Sequence, residues 1–509
     1  MKRVGSSDKE SLPRVGLSPA VSPSADGVAQ RQPKTEWPSI LLASWMSFIS
    51  SVHFSLYFTS LWPFMKSLDP SASEAMFSVV VAAFSFTKIM AAPALGIWAN
   101  RIERIRPPLI LCNFLMLVGD IFYFVVELFP SVIVQDYVLI WSRFITGAGT
   151  SQIGLLRAYA AAASTIEDRS RATAFVTGGN AIGLSLGPAF QIAFQWLGFP
   201  GITIFGPLHL SMFNCPALFA AVLSILNVFI VLRFFRESFV GVLKRKRISK
   251  SISADQSEQQ KQIKLAPPDR IALFLCYALR FTQQFVYTNI ETIGTVFAML
   301  MFLWTPQEVA FYESLAHIAR GLLSLFVYVL YIVFDLGKIL NDRLVCLFSL
   351  VGLLLFHLIT FSWPFLPNDV PQTVSLPNST AVSGGCDRTQ HAWCDGLKQV
   401  NVTLYYSLMV LAVGTAFPCI NASMSTIFSK AIGPRLQAKQ QGVLMMCGGM
   451  GRLLGPLMIG FLYTFFGPRA IWELESAVII LTIALWTVFY GRLVPLKMPE
   501  EETEKKNSC

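Results

Sequence analysis

Charged side chains set into long apolar stretches are the residues here whose types and spacing could do chemistry. Arg143 and Arg157 stand fourteen residues apart, and at about 100° per residue they fall within about 40° of one helix face. Two guanidinium groups on one face suit a carboxylate, a phosphate or chloride. Arg157 has the alternative of snorkelling to lipid headgroups. Arg280 and Glu291 share a second face with Tyr287, and Glu313 and Arg320 share a third. A Glu in apolar surroundings can exchange protons near neutrality, whereas pairing with Arg keeps it ionised; the sequence leaves both open for Glu291. His53, with an unperturbed pKa of about 6.5, is the second candidate for proton coupling, against a packed hydrogen-bonding role. Nothing in the sequence has the pattern of a nucleophile with its base, a phosphate loop, or a His/Cys metal site, so no enzyme, cofactor or metal is expected.

The elements that must position these groups follow from composition. Of 509 residues, 54% are hydrophobic and only 14% charged, with 41 Phe. A soluble surface needs roughly 25% charged residues. Segments of about 20 apolar residues, enough to cross roughly 30 Å of hydrocarbon, recur twelve times. They run over 38–62, 75–99, 107–129, 136–164, 171–197 and 213–235, then 269–298, 306–334, 342–364, 403–428, 439–466 and 470–493. Lipid offers no partner to unpaired backbone, so all are expected to be helices. A charge at mid-bilayer costs at least about 2.5–3.5 kcal/mol and needs a partner or a wet cavity. Lys88 and Asp120 lie about 16 Å and about 19 Å from the same membrane face at 1.5 Å per residue, which predicts a structural ion pair.

With the N-terminus in the cytosol, the basic residues gather on one side. That side holds the Arg101/Arg104/Arg106 loop, Arg169 and Arg171, the 244–247 run, Lys338, Arg343, Lys430, Arg435 and Lys439, and both tails. This positive-inside bias accounts for the net charge of +10 without nucleic acid as a partner. It leaves 1–37 as a disordered cytosolic tail, with the first span as anchor, 237–268 as a cytosolic linker and 494–509 as a cytosolic tail. The loop 365–402 falls on the lumenal side and carries two glycosylation acceptors, Asn378 and Asn401. Asn421 opens a third sequon inside a span, where it should stay unmodified. Cys386 and Cys394, alone among nine cysteines in that loop, are spaced to close a small disulfide ring, with free thiols or other pairings as alternatives.

The chain also repeats itself. Gly147 followed by Gly183, Gly187 and Pro188 in the first half matches Gly414 followed by Gly451, Arg452, Gly455 and Pro456 in the second. Such a duplication predicts two pseudo-symmetric six-helix halves, 38–236 and 269–493. Small residues about four apart let helices approach closely, and Arg452 is read as a tie between helices.

At these residues the chain resembles the major facilitator superfamily. Arg143-Phe-Ile-Thr-Gly147-Ala-Gly149 is similar to its fourth-helix motif, and Gly183-x-x-x-Gly187-Pro188 to its fifth-helix motif. Gly96-Ile-Trp-Ala-Asn100-Arg101, with Arg104 and Arg106, resembles the loop between helices two and three, with Asn100 where an acid is usual. Four further segments resemble the lysosomal, ceroid-lipofuscinosis branch of that superfamily. They are Leu61-Trp-Pro-Phe with Asp69-Pro70, Trp304-Thr305 with Gln307-Glu308, Gly385-Cys386 with Ala392-Trp393-Cys394, and Gly451-Arg452-Leu-Leu-Gly455-Pro456.

The resemblance implies an all-α membrane protein of twelve helices, a lysosomal or late-endosomal membrane, and a central cavity lined by helices one and four. It thereby makes Arg143, Arg157, Tyr287, Glu291 and Asn421 the candidate cavity residues. The expected function is transport of a small anionic solute by alternating access, with protons as the coupling ion. Two alternatives are a chloride-channel-like pathway through the same cavity and a non-transporting receptor or scaffold. Lipid, a small anion or chloride, and protons are the expected partners of a monomer.

Overall fold

In a computed structural model the described residues are 34–57, 60–69, 74–198, 200–205, 208–242, 266–304, 306–371, 385–386 and 391–496. Asn378, most of both tails and most of the 237–268 linker therefore lie outside the described residues. Fourteen α-helices account for nearly all of the regular structure. The first half contains α1 (Trp37–Ser55), α2 (Leu61–Leu68), α3 (Glu74–Ile102), α4 (Arg106–Phe124), α5 (Val132–Gly149), α6 (Gln152–Ala163), α7 (Arg169–Ala193) and α8 (Cys215–Arg233). A short antiparallel hairpin, β1 (Ile202–Phe205) with β2 (Leu208–Leu210), links α7 to α8. The second half contains α9 (Arg270–Phe302), α10 (Pro306–Val333), α11 (Leu336–Ile339), α12 (Asp342–Ile359), α13 (Val402–Ile432) and α14 (Ala438–Val488).

Each of the twelve expected spans finds a helix, and the last two are the arms of α14. Gly467, at φ 76°, breaks that helix in the left-handed region that a side chain resists, and Pro468 begins the second arm. Among the described residues, seven helices are long and apolar enough to cross a membrane by themselves, and α9, bent by 53° between Gly294 and Val296, makes an eighth. The helices that fall short, α1, α5, α6 and α7, are rich in Ser, Gly and Arg. Several of their polar atoms are satisfied by a neighbouring helix instead of facing lipid. Ser44 Oγ donates to Phe175 O at 2.6 Å, Ser47 Oγ to Val176 O at 2.9 Å, and Ser51 Oγ to Asn180 Oδ1 at 2.8 Å, all between α1 and α7.

The duplication is visible in which helices touch. In the first half α1 packs on α7, α3 on α5, and α4 on α5 and α8. In the second, α9 packs on α14, α10 on α13, and α12 on α13 and α14, the same pairs displaced by six spans. Across the halves α3 meets α14 and α7 meets α10. The glycine motifs set the first of these pairs. A Cβ on Gly183 would collide with Phe48 O of α1, and one on Gly451 would stand 2.6 Å from Phe281 O of α9. Gly187 and Gly455 are closed in the same way, by Ser55 and Asn289. Pro188 and Pro456 lie one residue beyond, within α7 and α14.

At the loop end, Cys386 and Cys394 are joined by a disulfide. Trp393 packs on Gly467, and Lys398 pairs with Asp369 at 2.9 Å. Asn401 caps α13, its side chain accepting from Leu404 N at 3.0 Å.

Candidate functional site

Cations converge where the halves face each other. Lys88 on α3, Arg157 on α6, Arg280 on α9 and Arg452 on α14 are close enough to act on one another electrostatically. Their positions follow from helix phase: Arg280, Tyr287 and Glu291 recur at intervals of seven and four on α9, so one face carries all three. Lys88 places its Nζ 4.9 Å from the Phe54 ring centre and 5.8 Å from that of Phe84. Arg157 is 1% exposed and within electrostatic reach of Tyr328 of α10, with Nε and Nη1 lacking any hydrogen-bond partner. Arg280 Nη1 donates to Gln283 Oε1 at 2.8 Å and to Asn421 Oδ1 at 2.6 Å, while its Nε is unpartnered.

Among the described residues, no carboxylate lies within ion-pair distance of Lys88, Arg157 or Arg280. Glu291 is the acid nearest this group, and it is divided between two arginines. Its Oε1 stands 3.8 Å from Arg320 Nη2 and its Oε2 stands 3.8 Å from Arg452 Nη2. Tyr287 lies beneath both, 5.2 Å from the Arg320 guanidinium carbon and 6.0 Å from that of Arg452. Arg452 also reaches over Phe54 of α1 at 5.4 Å, so it ties α14 to both halves.

The structure thus brings Arg157, Tyr287, Glu291 and Asn421 together, and it corrects three expectations. Arg143 does not face this seam: it turns into the first half, over Tyr57 at 4.1 Å and Tyr123 at 5.8 Å. A common face over fourteen residues needs one continuous helix, whereas the helix is interrupted at Thr150 and Ser151 between α5 and α6. His53 does not line the cavity either. It is fully buried, with Nε2 2.7 Å from Asp120 Oδ2, and Tyr57 donates to Asp120 Oδ1 at 3.1 Å. The expected Lys88–Asp120 pair is therefore replaced by His53–Asp120. Equal depth did not make the two side chains face each other, because α3 packs on α5 and α14 while α4 turns to α5 and α8.

Several participants were not singled out from sequence. Gln283 holds Arg280 in place, and Tyr328 is close enough to Arg157 to act on it electrostatically. His317 lies between Glu313 and Arg320 at helical intervals of four and three, a signal that was readable once that face was considered. A second sealed pair, His357 with Glu475, joins α12 to the second arm of α14.

At the end of the bundle bearing the basic loops, the halves are fastened together. Asn100 Nδ2 donates to Leu436 O at 3.2 Å, Thr426 Oγ1 to Ser170 Oγ at 3.3 Å, and buried Arg169 Nη1 to Ser429 O at 3.4 Å. Gly96 admits Ala438 O at a distance that no side chain would allow, and Lys338 Nζ lies 3.8 Å from Asp168 Oδ1.

Residues 43–384 and 396–508 match the Major Facilitator Superfamily. The chain is 31% identical over 484 residues to the Major facilitator superfamily domain-containing protein 8 of Xenopus laevis, covering 92% of this chain and 93% of the relative. It is 22% identical over 324 residues to Multidrug resistance protein 2 of Bacillus subtilis, covering 63% and 72% of the two chains. Among solved structures, the human organic anion transporter MFSD10 (TETRAN) superposes with a TM-score of 0.56 at 15% identity, covering 88% of this chain and 99% of that one. The transporter FucP in the outward conformation superposes with a TM-score of 0.61 at 15% identity, covering 89% and 98%. At these identities the two structures share the fold with this chain.

Proposed function

We propose that this chain, which belongs to the major facilitator superfamily of transporters, carries a small anionic solute by alternating access. Membership makes it a multi-pass membrane transport protein. The anion is read from the seam. Arg157 and Arg280 are buried donors with no acid beside them among the described residues, and each such charge costs at least about 2.5–3.5 kcal/mol in a membrane. A purely structural role would have supplied carboxylates. An anion seated between them accepts from Arg157 Nε and Nη1 and Arg280 Nε, the donors that the protein leaves unused. That single observation, orphaned guanidinium N–H groups at the junction of the halves, carries the reading.

The basic end is assigned to the cytosol, as its charge bias directs. Fastening there closes the cytosolic face, and release of those ties with rocking of the halves opens it. The compartment is assigned to the lysosomal or late-endosomal membrane on the resemblance of the four segments described above. Immunolocalisation that places the protein elsewhere removes that assignment. Glu291, the acid shared by two arginines, and His53, sealed against Asp120, are the residues from which proton coupling was expected. In this conformation both are engaged.

The test is flux of chloride, succinate and inorganic phosphate, each offered singly, into liposomes containing the full chain. Arg157→Gln and Arg280→Gln should each lower flux of the transported anion at least tenfold with protein recovery unchanged. Flux undiminished in both variants overturns the anion reading.

A further inference from the structure

The interior cations differ in how they are held, and one of them has two possible partners. Arg320 on α10 stands between Glu291 and His317, with its Nη2 3.8 Å from Glu291 Oε1 and 2.5 Å from His317 Nδ1. An arginine is always a donor and never an acceptor. His317 Nδ1 must therefore present its lone pair to Arg320, which places the ring proton on Nε2, facing Glu313 Oε2 at 4.0 Å. In this arrangement the ring is neutral. Add a proton to Nδ1 and that lone pair disappears, leaving two cations with only donors to offer each other.

We propose that His317 is a proton-binding site linked to anion capture, with Arg320 as the moving link between them. When unprotonated, His317 holds Arg320 on the α10 side. When an anion in the seam draws Arg320 toward Tyr287 and Arg452, His317 Nδ1 is freed and takes a proton. Glu291 keeps its other partner, Arg452, throughout. No bond other than the new N–H forms, and the proton comes from solvent. Because linkage is reciprocal, acid at His317 strengthens anion binding by the same factor that anion binding strengthens proton uptake. One proton accompanies each anion, so a monovalent cargo crosses without net charge.

The surroundings fit an exchangeable site. The His317 side chain is 46% exposed, so it is not sealed inside the bundle as His53 is. Glu313 accepts from Tyr406 Oη of α13 at 3.1 Å and stays aimed at the ring, where it stabilises the charged form of the histidine. From α9 come Glu291 and Tyr287, which meet His317 only through Arg320, and Gly294, against which the Glu313 carboxylate rests. From α7, Ser185 packs against Gly321.

The inference rests on the anion reading above, and the experiment separates the two. The full chain is reconstituted in liposomes, and uptake of chloride, succinate and inorganic phosphate is measured with and without an inward proton gradient of two pH units. Expected is a stimulation of at least tenfold for the transported anion, lost in His317→Gln, which keeps an acceptor for Arg320 but cannot be protonated. Stimulation that survives in His317→Gln overturns the linkage while leaving the anion reading intact. Uptake of none of the three anions overturns the anion reading, and the symport falls with it. The local switch has its own test without any anion. Nitrogen chemical shifts of His317 in the full chain at pH 5 should show a larger protonated fraction in Arg320→Gln than in the unaltered protein. Equal fractions overturn the switch.

Discussion

The two halves of this transporter use the same residue types in two different ways. In the first half His53, Asp120, Tyr57 and Arg143 form a closed set, with contacts of 2.7 Å and 3.1 Å and a guanidinium stacked at 4.1 Å. In the second, Glu313, His317, Arg320, Glu291 and Arg452 are strung out at 3.8 to 4.0 Å apart from the single close Arg320–His317 contact, and the His317 side chain is half-exposed. A buried polar set closed by short contacts costs much to open and so behaves as architecture. A looser set has alternatives of similar energy, so its members can change partners when a ligand or proton arrives. Composition alone does not separate a strut from a switch. Distance and exposure do.

The sharpest way to break the comparison is to remove Asp120. Asp120→Ala leaves His53 and Arg143 buried without their acid, and about 3–5 kcal/mol of stability should be lost. Thermal unfolding in detergent should show this as a collapse in recovered, folded protein. Glu291→Ala at the open cluster should cost less, because Arg320 keeps its contact with His317 and Arg452 is a quarter exposed, and should alter transport. If the two variants unfold alike, the division between strut and switch fails. Next in size is Gly183→Val, whose side chain has no room beside Phe48 O. A cost of about 1–3 kcal/mol is expected from overpacking, read as a lowered unfolding temperature. Gly451→Val should do the same from the second half.

A smaller effect sharpens the comparison from the other side. Arg157→Met removes a buried cation that has no acid, so unfolding should be unchanged or shift upward by about 1 kcal/mol or more, while anion flux falls. A large loss of stability would recast Arg157 as a strut.

The smallest effect concerns the basic end. A hydrogen bond from Lys338 to Asp335 raises the lysine pKa above its ordinary value, with Asp168 adding attraction. A raised pKa contributes stability that is complete below about 10.4 and is lost only as pH climbs past the folded value. This tie should therefore hold equally at pH 5 and pH 7. Lys338→Ala should shift the balance of open and closed forms by no more than about 1 kcal/mol, since the pair is exposed. Measured as cysteine accessibility at the basic end, that shift should be independent of pH over this range.

The apolar spans and the duplication were legible in the chain because each follows from a local rule. Twenty apolar residues must be helical in lipid, whatever surrounds them. The glycines at 183, 187, 451 and 455 marked close crossings for an equally local reason, since only a missing side chain lets backbone meet backbone. Part of the site was legible too: Arg157, Tyr287, Glu291 and Asn421 do converge.

Arg143, Lys88 and His53 show where such reasoning stops. The phase between Arg143 and Arg157 was lost at a two-residue break that no propensity announces. Asp120 chose His53 over Lys88 because of which helices are neighbours, which is a property of the whole bundle. Sequence by itself determined that this protein crosses the membrane many times, is built twice over, and sets charged side chains inside its spans. Tertiary structure alone decided which cations are sealed and which stay free to meet a ligand, because pairing depends on angles and distances between helices that lie far apart along the chain.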